Sequence, residues 1–219
     1  MTVELGATIS DERLAAAGAL RRLGHALVGH HVAEDTLHRI AQFVEDVLPE
    51  VTAGERRSRP VDDMKRRLFE VVPEDGAGMD HFPDCVVSGR ANPMGIAIRV
   101  HREGGDAVAR VALGAAFEGA PGRAHGGIVA AVFDDTMGFV LSMERTPAFT
   151  GRLTVTYRAP TPVEEELEFR ARLRERSGRK LVVDGEALWR GDRVAEAEGL
   201  FIAIPPERFG MGADRHGSS

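Results

Sequence analysis

The sequence predicts an α+β fold in which a curved antiparallel β-sheet wraps around one long central helix, behind an N-terminal α-helical extension. Three observations predict it. From Ser10 to about Val51 apolar residues recur at spacings of three and four, and from Gly95 onward they recur at spacing two. Within the second half one segment, Gly126 to Met143, is apolar around most of its circumference. Such a helix needs cover on most sides, and a curved antiparallel sheet supplies it.

The elements follow in chain order. Ser10 and Asp11 can cap a first helix, on which Leu14, Leu20, Leu23 and Leu27 fall close to one face. A second helix carries Leu37, Ile40, Phe43, Val44, Val47 and Leu48. Thr52 to Pro60 reads as a charged linker, Asp62 to Val71 as a short third helix, and Pro73 to Gly78 as a loop. Ile96, Ile98 and Val100 alternate with polar or small residues in a half-buried strand. A hairpin signal, Gly104-Gly105-Asp106, leads into a second strand over Val108 to Leu113. After the buried helix come strands near Thr150 to Ala159, Glu165 to Arg174, Lys180 to Trp189 and Val194 to Ile204. The expected organisation is a helical extension over 1–80, a sheet-and-helix domain over 81–206 and a flexible tail over 207–219.

Composition narrows the function. A chain of 219 residues with 43% apolar and 28% charged residues can bury one substantial core. The formal charge of −6 argues against a nucleic-acid partner, because phosphate tracks need a concentrated basic face. The single cysteine, Cys85, excludes an intramolecular disulfide framework and a multi-thiolate zinc site. Met1 to Asp11 lacks the basic-then-apolar pattern of a signal peptide, and no stretch approaches about 20 consecutive apolar residues, so the cytoplasm is expected and no membrane contact.

The chemistry concentrates between Gly119 and Gly138. Pro121 and Gly122 make a turn, and Gly126 and Gly127 open the buried helix after His125. Amides at a helix start carry partial positive charge, and where no Cβ intervenes a ligand can approach them and its developing oxyanion can be held. Asp134 and Asp135 stand in an otherwise apolar helix, where an unpaired charge is costly, so at least one of them is expected to be functional or paired. His125 and Asp134 are separated by about 13.5 Å and about half a turn, too far to meet on one substrate atom within a chain. Two such helices running antiparallel across a twofold axis would bring each helix start to the other chain's Asp134, which requires a homodimer or a dimer of dimers.

The run His125-Gly126-Gly127 with Asp134 nine residues after the histidine resembles the PaaI-type acyl-CoA thioesterases of the hotdog-fold superfamily. The likeness spans about Cys85 to Ile204 and includes Tyr157-Arg-Ala-Pro160 and the leading segment Cys85 to Gly95. It implies a hotdog fold and hydrolysis of an acyl-CoA thioester, with coenzyme A as part of the substrate and no separate cofactor. It further implies Asp134 as general base or nucleophile, Gly126 as oxyanion donor, His125 as a loop-shaping residue and Thr150 as an aid to the attacking water. Two departures stand out: Gly119 occupies a position where many members have Asn, and Ser88 one where they often have a second Cys.

Beside these, Gly127, Asp135 and Arg158 are candidate substrate contacts, with Arg179 and Lys180 as further basic residues. Asp135 leaves the helix about 100° from Asp134, which favours a structural partner or solvent. His31, Glu34 and His38 share a helix face but lack a further ligand in frame, so no metal is expected. A non-catalytic acyl-CoA-binding module is the competing reading, against which the retained Asp134 speaks.

Overall fold

A computed structural model of the protein describes residues 9–57, 72–79 and 82–205. The expected third helix over Asp62 to Val71 and the expected tail over 207–219 lie outside these residues. Two N-terminal helices, α1 (Asp11–Gly29) and α2 (Glu34–Ala53), are followed by the short β1 (Gly78–Met79). Then come β2 (Arg99–Glu103), β3 (Asp106–Ala112), a 3₁₀ turn at Ala115–Phe117, the small hairpin β4 (Glu118–Ala120) and β5 (Arg123–Ala124), and the central helix α3 (Gly126–Met143). Four long strands complete the domain: β6 (Ala148–Tyr157), β7 (Glu166–Ser177), β8 (Lys180–Trp189) and β9 (Asp192–Ala203).

Among the described residues seven strands pair antiparallel in the order β1-β2-β3-β7-β8-β9-β6, leaving β6 at an edge. The sheet's inner face, including Ala107, Ala109, Leu167, Phe169, Leu181, Val183, Ala195 and Phe201, is buried with Val129, Val132, Phe133, Met137 and Val140 of α3. The Phe133 and Phe169 rings meet edge to face at 5.1 Å. Gly185 and Gly199 let α3 seat closely, since a Cβ on either would stand 2.8 and 2.7 Å from Met137 Cε and Sδ. By length and apolarity α3 would suffice for a membrane span, yet half of it is buried inside the sheet. This is the expected hotdog fold.

Three expectations need correction. The strand expected from Ile96 begins only at Arg99, because Ala97 takes a positive φ of 59° that no strand accommodates. The linker expected from Thr52 begins later, as α2 continues to Ala53, and the loop expected through Gly78 ends in β1. On α1 the docking face is not the leucine stripe: Leu20 and Leu27 remain 49% and 36% exposed. The face that packs is built on Arg13, Ala17, Arg21 and His25, four apart. Arg13 pairs with Asp84 at 2.9 Å, and Arg21 donates to the carbonyls of Arg90 and Asn92 at 2.9 and 2.7 Å. His25 Nδ1 accepts from the Ala116 amide at 3.1 Å, with its ring against Phe117. On α2 no residue is buried, and Phe43 is 67% exposed.

Candidate active site

The start of α3 is set by His125. Its backbone is extended (φ −62°, ψ 132°), and its Nδ1 accepts from the Gly127 amide at 2.9 Å, capping the helix. That acceptor role places the ring proton of the neutral imidazole on Nε2. The His125 amide donates to the Phe117 carbonyl at 2.8 Å, and the His125 carbonyl accepts from Ile128 and Val129. Among the described residues no acceptor meets the Gly126 amide. It is the open donor at this helix start, whereas the Gly127 amide is occupied by His125.

Nearly two and a half turns along α3, Asp134 is half-buried and accepts from the Thr150 hydroxyl at 2.8 Å on Oδ1. Among the described residues no donor meets its Oδ2. A bulge aims Thr150 at the helix. In β6 the register to β9 shifts between Thr150 and Arg152, which inserts Gly151 and turns Thr150 to the same side as Leu153 and Val155. Without the extra residue Thr150 would point to the outer face.

Asp135 leaves the helix toward the segment before β2. The Cys85 thiol donates to its Oδ1 at 3.4 Å and in turn accepts from the Val87 amide at 3.3 Å. Among the described residues its Oδ2 is buried with no donor in hydrogen-bond geometry. Burial pushes the Asp135 carboxyl above the usual carboxylate range, against the pull of Ser88 and Cys85, and the charge of Asp134 adds to the rise. Arg158, at the end of β6, ion-pairs with Glu196 on β9. Arg179 donates to the Ala203 carbonyl.

Of the residues picked out in the sequence, Thr150 and Asp134 are in contact, His125, Gly126 and Gly127 form one helix start, and Asp135 and Arg158 lie elsewhere with partners of their own. Gly119 is packed against this start: a Cβ there would stand 2.8 Å from His125 Cα. Tyr157, which the sequence marks only as the start of Tyr157-Arg-Ala-Pro160 and gives no role in the site, donates its hydroxyl to the Gly126 carbonyl at 2.6 Å. The signal available was that the chain's one tyrosine stands seven residues after Thr150 on the same strand. Among the described residues no group of three or more His, Cys, Asp or Glu side chains is placed to hold a metal ion.

Residues 121–196 match the thioesterase superfamily. The acyl-coenzyme A thioesterase THEM4 of Mus musculus is 32% identical over 93 residues, which are 42% of this chain and 40% of that protein. The chain thus spans well under half of the curated relative it matches. A solved thioesterase superfamily protein aligns over 92% of this chain and 95% of its own with a TM-score of 0.76 at 24% identity, which shows a shared fold. The family match falls on the helix start, on Asp134 and on the strands that hold them, and the chain shares its hotdog fold with a solved thioesterase superfamily protein.

Proposed function

We propose that the protein hydrolyses an acyl-CoA thioester to the free acid and coenzyme A. The observation that carries this reading is the Thr150–Asp134 hydrogen bond at 2.8 Å, which leaves one carboxylate oxygen open at a polar point on an apolar helix. The name of the mouse relative supports the same substrate class. In this reaction the Gly126 amide holds the oxygen of the polarised carbonyl. Asp134 either takes a proton from water as it attacks the carbonyl carbon, or attacks that carbon itself to give an anhydride that water then opens. In both routes the C–S bond breaks, and the coenzyme leaves as its thiolate and takes up a proton. Gly126, Asp134 and water suffice for these steps without a resident cofactor.

Within one chain the Gly126 amide and Asp134 are about 12 Å apart along the helix, so the site is complete only with a second copy. The edge strand β6 offers the seam. Thr150 and Tyr157 lie near its two ends, beside Asp134 and Gly126 respectively. Antiparallel pairing of two β6 strands with Thr150 opposite Tyr157 sets each Asp134 toward the other copy's helix start. Phe149 and Tyr157 are 57% and 50% exposed along this edge, which a second copy would cover.

A non-catalytic acyl-CoA-binding module is disfavoured by the same hydrogen bond, since a binder gains nothing from a carboxylate oriented beside the thioester. Assay of the purified protein against a panel of aliphatic and aromatic acyl-CoAs, with thiol release as readout, decides between them. Binding of these compounds without turnover of any would leave the module and remove the hydrolase.

A further inference from the structure

The Gly126 carbonyl and the Gly127 amide belong to one peptide group, and it is held at both ends. Tyr157 Oη donates to the oxygen at 2.6 Å, and His125 Nδ1 accepts from the nitrogen at 2.9 Å. The next peptide toward the N-terminus carries the Gly126 N–H. Glycine gives this position an open approach to the substrate, but it also leaves the φ and ψ on either side of Gly126 freer than any other residue would. An oxyanion donor contributes only when it is already aimed. The tyrosine closes further on the same point: a Cβ on residue 126 would stand 3.1 Å from the hydroxyl and 3.2 Å from Cζ.

From this geometry we infer that Tyr157 is a positioning residue for the proposed reaction, clamping the Gly126–Gly127 peptide so that the Gly126 N–H stays directed at the thioester oxygen. The role rests on the hydrolase reading above. Tyr157 ends β6, so the strand that orients Asp134 through Thr150 at one end fixes the helix start through Tyr157 at the other. Removing the hydroxyl frees the peptide without touching the groups that bind the substrate, so it acts on turnover and not on affinity. Because His125 holds the other end of the same peptide, the two clamps are partly redundant.

Tyr157→Phe in the full chain keeps the ring and removes the hydrogen bond. The expected result is a fall in kcat of about tenfold, the factor set by one ordinary hydrogen bond. KM should stay within about twofold, the oligomer measured by light scattering should be unchanged, and amide exchange at Gly127 should be faster. His125→Ala should lower kcat in the same way, and the double variant should lose more than the product of the two. An active wild type whose Tyr157→Phe variant is equally active would overturn the positioning role alone. So would a loss of activity accompanied by dissociation to monomers, which would make Tyr157 an assembly residue. A wild type inactive on every acyl-CoA would overturn the hydrolase itself, and the positioning role with it.

Discussion

Thr150 reaches Asp134 only because Gly151 is an extra residue in β6: the bulge turns the threonine hydroxyl inward, 2.8 Å from Asp134 Oδ1. A carboxylate with one oxygen fixed by a side-chain donor keeps its direction, and in the proposed reaction the other oxygen faces the thioester. Loss of either partner should therefore be graded.

Asp134→Asn keeps shape and removes the proposed base or nucleophile, so kcat should fall about 10²-fold to 10⁴-fold with the circular dichroism spectrum unchanged. Thr150→Ala should lose less than that, and Thr150→Ser should recover most of the difference because it restores the donor. Full activity of Asp134→Asn on every thioester would end the carboxylate mechanism.

Gly126→Pro removes the proposed oxyanion donor itself. Proline suits the first position of a helix, and the extended backbone of His125 suits a residue before proline, so the helix should survive, with the Tyr157 side chain shifting to admit the proline Cβ. The expected loss is about 10²-fold to 10³-fold in kcat. Co-expression of Gly126→Pro with Asp134→Asn should restore about a quarter of wild-type activity, since half of the random dimers are mixed and each has one intact site. No recovery in dimers shown to be mixed would place both groups of a site in one chain.

Asp135→Asn should retain activity, because its side chain is turned away toward Cys85. Its effect should be on stability. The folded carboxyl is raised above the unfolded value of about 3.9, so the folded state binds more protons between the two. Wild-type stability therefore declines as pH rises through that window, and the asparagine variant lacks the decline. Melting temperatures at pH 4 and pH 8 should show the variant gaining on wild type at the higher pH; equal gains at both would contradict the raised carboxyl.

His25 lowers acid stability in the opposite sense. Burial holds its imidazole below the ordinary value of about 6.5, Glu164 opposes and Arg21 adds to the effect, and Nδ1 must be unprotonated to accept from Ala116. The unfolded state then binds more protons, so this contribution is present above about pH 6.5 and is lost as pH falls through the folded value. Urea midpoints of wild type between pH 7 and pH 5 should fall further than those of His25→Gln. Parallel curves would remove His25 from the acid response.

Much of the site was legible in order along the chain. The helix Gly126–Met143 was bounded correctly because its apolar run is flanked by a glycine pair and by charged residues, which are local signals. The strands β7 to β9 were legible from alternation, since one face is buried against that helix and the other is not. The docking of α1 was not legible. Periodicity ranks faces by apolarity, whereas α1 is held by Arg13, Arg21 and His25 through partners about 70 to 90 residues away in the chain.

The sequence by itself determined the fold class and the helix start at His125-Gly126-Gly127, because spacing along a helix and type of residue are properties of the chain; Asp134 and Thr150 are what the resemblance to the PaaI-type thioesterases implies. Only the tertiary structure decided which way each group faces. A bulge reversed the side of Thr150, the packing of Cys85 took Asp135 out of reach, and Glu196 engaged Arg158. It also brought Tyr157 to the Gly126 carbonyl, 31 residues away in sequence. Such contacts depend on how strands pair and helices seat, which is fixed by the summed burial of the whole core and not by any local run of residues.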